Sequence, residues 1–546
     1  MRKIVMISLA LGALALSASS CSTRQKVDLV VYNACVYTVD NSFSVHEAFA
    51  VDKGVFLAVG STEDIRQYYK GRKEFNMEGA AVYPAFHDSH SHFTQFANGL
   101  SHVDLRGSVS EEEVIARLKE HYELYEPAFL EGDGWDQTLW EDKSFPGNQA
   151  LSDAFPHIPV YLRRVDFHAL WVNNKAIELS GLQPGDPGIR PGEAILTEDG
   201  RFTGVFLEDT GVRIRADIPP MDDKTQETYL QKAQEICFSY GLGSVTDGGL
   251  SLEKIVLLDS LQKAGVLTIR VDAWISPSEK NFERFTSPYR SDKLDVSAVK
   301  LFIDGALGSR GALLYKPYTD DPGNYGIQVT SDRDFTLACK KAFERGLQVA
   351  THAIGDKGVG KVLDLYQPFL APGNDLRWRI EHSQIVAPAD FERFKNMGVV
   401  PSIQPTHATS DMGWAEERVG PERIKGAYAF QDLIQTIGWA PLGTDAPVES
   451  INPLYTFFAA IARTNAEFWP EGGWQPENAV SREETLKGMT LWGAKGYFRE
   501  DQKGSIEPGK WADFIVWTKD LMTIPVEEIL DTSCKMTFVA GEQVYP

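Results

Sequence analysis

The feature that most constrains the fold is an alternation of short apolar runs with amphipathic stretches through the middle of the chain. The apolar runs have the length of strands, and several of them end in a polar or ionisable residue. This alternation is typical of a parallel α/β fold, in which chemistry is expected where the strands end. Strands are predicted over 243–247, 268–275, 299–303, 348–352, 378–382, 399–404 and 441–445, and helices over 111–124, 224–240, 252–264, 332–345, 389–397 and 482–494.

Both ends of the chain are rich in β-branched residues and turns, around 27–60 and 504–544. Each end alone is short of a core. The sequence therefore predicts one small composite β-sandwich, built from 25–80 and 500–546, beside a (β/α)8 TIM-type barrel over 81–499. The alternative is a separate domain at each end. The 546 residues are enough for a barrel and an accessory domain.

Two histidines follow the first apolar strand of the predicted barrel, in the sequence YPAFHDSHSHF over 83–93. Side chains alternate between faces in an extended chain, so His90 and His92 project the same way. Imidazole nitrogens are ligands that zinc prefers. By itself, a His-x-His motif also fits a solvated turn.

Four further ionisable residues are candidates for the same site: Lys300, His352, His382 and Asp445. Lys300 lies inside a hydrophobic strand, where a charged amine is costly unless it is neutralised or paired. Reaction with carbon dioxide would convert this amine to a carbamate, an anionic oxygen ligand that can bridge two cations. The alternative is a lysine at an edge whose amine reaches solvent.

The order His-x-His, Lys, His, His, Asp resembles that of the amidohydrolase superfamily, metal-dependent hydrolases built on a (β/α)8 barrel. The chain is similar to the amidohydrolase-3 branch, which includes N-substituted formamide deformylases. Ala85 and His87 depart from the branch pattern, and neither replaces a ligand. The branch-like passages run through nearly all of the mature chain: GWDQTLW at 134–140, RVDFH at 164–168, VKLFIDGALGSR at 299–310, QPTHATSD at 404–411 and GKWAD at 509–513.

The resemblance implies a role for each candidate. His90 and His92 would hold one metal, and the Lys300 carbamate would bridge to a second metal held by His352 and His382. Asp445 would contact the first metal and a bridging hydroxide, as general base and then general acid. The expected cofactor is a pair of divalent metals, most simply two Zn(II).

The interval between His92 and Lys300 is longer than a few β/α units require, so we predict an insertion over about 122–217. Its aromatic and polar residues suit a pocket wall. An ordinary packed insertion is the alternative. The substrate-binding candidates are His168, Trp135, Arg310, Gln404 and His407.

The net charge of the chain bears on its partners, and the beginning of the chain bears on its location. A net charge of −22 argues against nucleic acid as a partner. Residues 1–20 are predicted to be a signal peptide of the lipoprotein type, with a lipid anchor at Cys21 facing the periplasm; ordinary secretion is the alternative. Export would permit a Cys35–Cys534 disulfide, and a homo-oligomer is compatible with the sequence.

The function that the resemblance implies is hydrolysis of a non-peptide C–N bond in a small amide-like molecule, an N-acyl or N-formyl amine or a cyclic amide. Two alternatives stay open. One is hydrolysis of a lactone or phosphoester by the same barrel, and the other is a binding lipoprotein without activity.

Overall fold

The computed structural model describes residues 24–164, 169–189, 193–215, 218, 221–308 and 310–546. The predicted signal peptide and Cys21 lie outside these residues, as does His168. No helix among the described residues is both long and apolar enough to cross a membrane.

A curled parallel sheet forms the centre of the molecule, which confirms the predicted parallel α/β class. Neighbouring strands along it are hydrogen-bonded in parallel, and the short strand Tyr289–Arg290 is added antiparallel to Leu294–Phe302. Most of these strands are buried along their length, as expected of a sheet covered on both faces. In spatial order the strands are Phe86–Asp88, Leu242–Leu250, Arg270–Ile275, Leu294–Phe302, Gln348–Ala353, Arg379–His382 and Val400–Ser402.

Residues 441–445 connect the two edges of this sheet. The backbone N–H of Gly443 donates to the carbonyl of Ile403 at 3.1 Å, beyond the last strand. The N–H of Asp445 donates to the carbonyl of His90 at 2.7 Å, beyond the first strand. Residues 441–445 do not form a continuous strand. The hydrogen bond to His90 nevertheless places Asp445 beside that histidine.

Helices pack against the central sheet and against the other sheets, and many begin at a serine whose hydroxyl accepts a hydrogen bond from the first turn. Ser331 accepts from the N–H of Asp334 at 3.2 Å, and Ser481 forms a reciprocal capping box with Glu484. The helices are Thr62–Tyr68, Phe93–Gly99, Glu111–Tyr125, Gln149–Ala154, Asn174–Ser180, Glu208–Arg215, Asp223–Ser239, Leu252–Lys263, Glu279–Arg284, Asp332–Glu344, Asp356–Tyr366, Phe391–Met397, Pro405–Asp411, Ala415–Arg423, Phe430–Ile437, Pro453–Ala462, Arg482–Gly488 and Leu491–Lys495.

Two further sheets are built from the ends of the chain. Phe49 and Phe514, from different sheets, pack edge-to-face with ring centroids 4.9 Å apart within one shared apolar cluster. One sheet contains Val55–Gly60, Ala48–Asp52, Gln25–Tyr32 and Tyr69–Asn76. The other contains Glu542–Tyr545, Cys534–Val539, Phe514–Trp517, Ala81–Pro84, Cys35–Tyr37 and Val45–His46, so it combines strands from both ends. Cys35 and Cys534 are both free thiols, so the disulfide that export would permit is not formed.

The long interval before the second central strand forms a separate six-stranded sheet with its own apolar core. The first strand of this sheet begins at His102 and pairs with Leu130–Trp135. The sheet therefore begins before residue 122, the predicted start of the insertion. Its strands are Ala194–Leu196, Phe202–Leu207, Ala169–Val172, Val160–Arg164, Leu130–Trp135 and His102–Asp104.

Candidate metal centre

The two histidines of the His-x-His motif lie just beyond the first central strand, and both face Asp445. The Oδ1 atom of Asp445 is 3.2 Å from Nε2 of His90 and 3.5 Å from Nε2 of His92. The potential ligand atoms of these three residues all lie within 4.8 Å of one another. His90 and Asp445 are buried, so the nitrogens and oxygens converge where few waters compete for a cation.

The other oxygen of Asp445 faces a second group. Its Oδ2 atom lies 3.1 Å from Nε2 of His407 and 4.0 Å from Nδ1 of His382. These three residues also offer ligand atoms that lie within 4.8 Å of one another. His407 is predicted from the sequence as a substrate-binding residue, and the structure places it directly against Asp445.

Lys300 and His352 complete the set of six predicted ligands. The Lys300 amine lies 3.2 Å from Nε2 of His90, and the ring centroids of His352 and His382 are 4.6 Å apart. A cavity of about 400 Å³ opens onto five of the six residues, with His90 buried behind them. Side chains from widely separated parts of the chain therefore meet at the carboxyl ends of the central strands.

A buried carboxylate supports His90 from behind. The Nδ1 atom of His90 lies 2.5 Å from Oε2 of Glu381, and the Arg379 guanidinium donates to Glu381 at 2.6 Å. Both nitrogens of His90 are therefore oriented, with Nε2 directed toward Asp445 and Lys300. A carboxylate behind a histidine is a common support for metal ligands, because it fixes the ring and its tautomer.

The electrostatics of the site suit ligands that bind a cation. Burial lowers the pKa of His352 to about 3 and holds the pKa of His382 well below its usual value, so both imidazoles are neutral near pH 7. Burial also lowers the pKa of the Lys300 amine to about 8, although Glu381 and Asp445 partly oppose this. Burial alone would raise the pKa of Asp445, but hydrogen bonds from three histidines outweigh it and hold that pKa well below its ordinary range.

The donors fit a divalent metal. Nε2 of His352 and Nδ1 of His382 are buried without a hydrogen-bond partner among the described residues. Buried polar nitrogens are rarely left without a partner. A cation would satisfy both nitrogens, and imidazole with carboxylate is a ligand set that zinc accepts.

His168 lies outside the described residues, and of the four other predicted substrate-binding residues the structure places only His407 in the cavity wall. Trp135 is fully buried in the core of the insertion, where its indole N–H donates to the carbonyl of Leu162 at 2.9 Å. Arg310 pairs with Asp320 at 2.9 Å, away from the cavity wall. Gln404 is buried beside the strand Val400–Ser402 and does not line the cavity. An aromatic cluster has the same composition in a core as in a pocket, and the structure places Trp135 in a core.

Several cavity-lining residues were missed by the sequence prediction: Gln384, Asp411, Glu449, Phe302 and Trp414. Gln384 follows His382 by two positions, and Glu449 follows Asp445 by four. Their place in the loop after a candidate ligand could have identified both as cavity-lining residues. His87, which departs from the family pattern, lies 2.8 Å from Asp272. Asp272, the carboxylate partner of His87, belongs to neither of the two groups of candidate ligands.

Most of the chain matches one known protein family. The model of the amidohydrolase family matches residues 73–545, which is most of the sequence. The chain belongs to the amidohydrolase family. The resemblance carried by the order of the candidate ligands and by the branch-like passages is thereby confirmed.

Two curated relatives show the range of proteins that this amidohydrolase resembles. It is 30% identical over 543 residues to "Protein LONG AFTER FAR-RED 3" of Arabidopsis thaliana, covering 95% of this chain and 92% of the relative. It is 24% identical over 542 residues to the N-substituted formamide deformylase of Arthrobacter pascens, covering 95% and 98%.

A solved structure is similar to this amidohydrolase in both fold and sequence. An uncharacterised metal-dependent hydrolase from Pyrococcus furiosus aligns with a TM-score of 0.75 and 30% identity, covering 91% of this chain and all of that one. Together with the two groups of candidate ligands, these matches support a metal-dependent hydrolase that binds a divalent metal and acts on a small molecule.

Proposed function

We propose that this amidohydrolase hydrolyses a non-peptide C–N bond, in an N-acyl or N-formyl amine or a cyclic amide, with two Zn(II) ions. The observation that carries the proposal is the division of the Asp445 carboxylate. One oxygen faces His90 and His92, while the other faces His382 and His407. A single carboxylate between two groups of imidazoles suits a two-metal site.

The proposed architecture is a closed (β/α)8 barrel with residues 441–445 as its eighth strand. The support is the pair of backbone hydrogen bonds that this segment makes with the two edges of the central sheet. Closure explains how Asp445, far from the motif in sequence, comes to lie beside His90.

The first metal would be held by His90, His92 and Asp445, and the second by His352 and His382. When bound, the metals would lower the pKa of a water molecule and polarise the scissile carbonyl. Asp445 accepts the proton of the attacking water and returns it to the leaving nitrogen, as general base and then general acid. The C–N bond breaks, the oxygen of water joins the acyl carbon, and an acid and an amine leave.

Lys300 is proposed to carry a carbamate. Its lowered pKa of about 8 leaves a fraction of neutral amine at neutral pH, and only the neutral amine attacks carbon dioxide. A new N–C bond forms and one proton is released to solvent. The product carries a negative charge in place of a positive one, and this suits a side chain that faces two cations.

The charges around the cavity separate this proposal from phosphoester hydrolysis. A phosphoester site is expected to gather arginine and lysine around the anion. Among the described residues of the cavity wall, Lys300 is the one lysine or arginine, whereas Asp411, Asp445 and Glu449 are acidic. A binding protein without activity is also disfavoured, because all six predicted ligands are kept and meet.

The test is a substrate panel on protein loaded with zinc and assayed for metal content. N-formyl amines, N-acyl amines, cyclic amides, lactones and phosphoesters are compared, with chelated protein as the control. Metal-dependent amide hydrolysis that exceeds lactone and phosphoester hydrolysis supports the proposal. A protein that holds its metals but cleaves phosphoesters or lactones faster, or no amide at all, contradicts it.

Export and lipid anchoring at Cys21 are proposed on the sequence alone. Cells grown with labelled fatty acid should label the wild-type protein and not Cys21→Ser. Labelling of both proteins, or of neither, would contradict the anchor.

A further inference from the structure

The wall of the cavity differs in character between its two sides. Near Lys300 and His352 the wall is aromatic, because Phe302 lies 5.1 Å from the Lys300 amine and 5.4 Å from the His352 ring. Near His407 the wall is acidic, because Oε1 of Glu449 lies 3.6 Å from Nδ1 of His407. A substrate held between the two sides would meet a different environment at each end.

A second carboxylate lies on the acidic side. Asp411 ends the helix Pro405–Asp411 that carries His407, and it also lines the cavity. The Tyr428 hydroxyl donates to one of its oxygens at 2.5 Å. Asp411 and Glu449, which we call the acidic pair, face the same cavity as the indole of Trp414. Carboxylates beside an aromatic face are a common setting for binding organic cations.

Gln384 provides an independent sign that a ligand belongs here. Its side chain lines the cavity and is 4% exposed, yet its Oε1 atom has no hydrogen-bond partner among the described residues. A buried acceptor without a donor costs free energy unless a ligand or water satisfies it. An N–H group of a bound molecule would serve as that donor.

The orientation of the substrate follows from the proposed reaction. Asp445 returns a proton to the leaving nitrogen, so that nitrogen must lie near Asp445. His407 contacts both Asp445 and Glu449. The leaving amine therefore lies on the side of the acidic pair, and the acyl group lies toward Phe302.

We propose that the leaving amine carries a second, protonated nitrogen, so that the substrate class is the N-acyl or N-formyl derivatives of diamines. The acidic pair holds the ammonium group, and Gln384 accepts a hydrogen bond from an N–H of the substrate. This inference rests on the proposed C–N hydrolysis and specifies its substrate.

The test compares three N-formyl amines of equal chain length that end in an ammonium, a methyl or a carboxylate group. The zinc-loaded wild type should prefer the ammonium compound over the methyl compound by about tenfold in kcat/KM, the size of one hydrogen bond to a charged group. Glu449→Gln and Asp411→Asn should each reduce this preference, mainly through KM. Glu417→Gln, an exposed carboxylate on a neighbouring helix, is the matched control and should leave the preference unchanged.

A second measurement does not depend on turnover. With N-formyl-1,4-diaminobutane as the ammonium compound, binding of its product 1,4-diaminobutane is measured by calorimetry on the wild type and the same variants. Weaker binding by Glu449→Gln and Asp411→Asn, together with preferred cleavage of the ammonium compound, supports the inference. Weaker binding without cleavage of any amide keeps the ammonium site but refutes the proposed reaction and, with it, the substrate class. Equal or faster cleavage of the methyl compound, with diamine binding unchanged by either variant, overturns the inference and leaves the proposed reaction intact.

Discussion

The Nδ1 atom of His90 lies 2.5 Å from the carboxylate of Glu381, and both side chains are fully buried. Burial would raise the pKa of Glu381, but Arg379 and His90 outweigh it and hold that pKa well below its usual value. A buried carboxylate that is already ionised and paired can fix the ring of His90 before any metal binds. This contact links the charged residues beneath the site to a candidate ligand that lies 3.2 Å from both Asp445 and Lys300.

Glu381→Gln should weaken metal binding by about 10–100-fold, since removing a carboxylate behind a metal-bound histidine has effects of that size. The variant also leaves the Arg379 guanidinium buried without its charged partner, at a cost of about 3–5 kcal/mol in the free energy of unfolding. Zinc affinity by competition with a chelator, and the melting temperature without metal, measure the two effects separately. Unchanged zinc affinity in a folded variant would show that Glu381 does not support His90.

Asp445→Asn should keep most of the bound metal yet lose most of the turnover, about 10²–10⁴-fold. Asparagine preserves the shape of the side chain and one oxygen that can bind a metal. Its amide cannot accept the proton of the attacking water. Metal content and kcat are measured on the same preparation. Equal losses of metal and activity would instead make Asp445 chiefly a ligand.

Lys300→Met should raise the melting temperature of the metal-free protein and lower its metal content after loading. A buried amine is costly before the metals bind, and methionine removes that cost at similar length. With the carbamate gone, the second metal should be lost first. Lys340→Met, at an exposed helix position, is the matched control. A full complement of two metals in Lys300→Met would contradict the bridging role.

His102, in the insertion, should make stability depend on pH. Burial opposes the charged imidazole, but Asp133 and Glu131 outweigh it and raise the pKa to about 9. Because the folded pKa lies above the unfolded value of about 6.5, the stabilisation is complete below about pH 6.5 and is lost as the pH rises through 9.

Replacement of His102 by glutamine tests this dependence. The wild type should be more stable than His102→Gln by on the order of 1 kcal/mol at pH 6, after allowance for partial exposure, and the difference should shrink by pH 10. Thermal melts at both pH values measure it. A difference that grows with pH would reverse the predicted sign.

The sequence was most informative where local periodicity determines position. The two-residue spacing of His90 and His92 put them on one side of an extended segment, and the loops after the strands at His352 and His382 marked one edge of a parallel sheet. These rules need only the alternation of side chains and the direction of the strands. They pointed to five of the six candidate ligands, whereas Lys300, inside its strand, was singled out by the cost of burying a charged amine.

The rest required the path of the chain in three dimensions. Nothing local distinguishes Glu381, which supports His90, from another charged residue in a strand. Trp135 and Arg310 occur in passages that resemble the family, but one packs in a separate core and the other pairs with Asp320. The contact between His407 and Asp445 depends on how helix Pro405–Asp411 returns over the cavity, which residue spacing does not reveal.

The central claim is that the two oxygens of Asp445 belong to two metals linked through a modified Lys300. A crystal structure of the zinc-loaded protein, with anomalous data collected at the zinc edge, tests it most directly. We predict two anomalous peaks, one on each side of Asp445, and density for a carboxyl group on the Lys300 amine. Zinc bound elsewhere, or a single peak beside an unmodified Lys300, would contradict the claim.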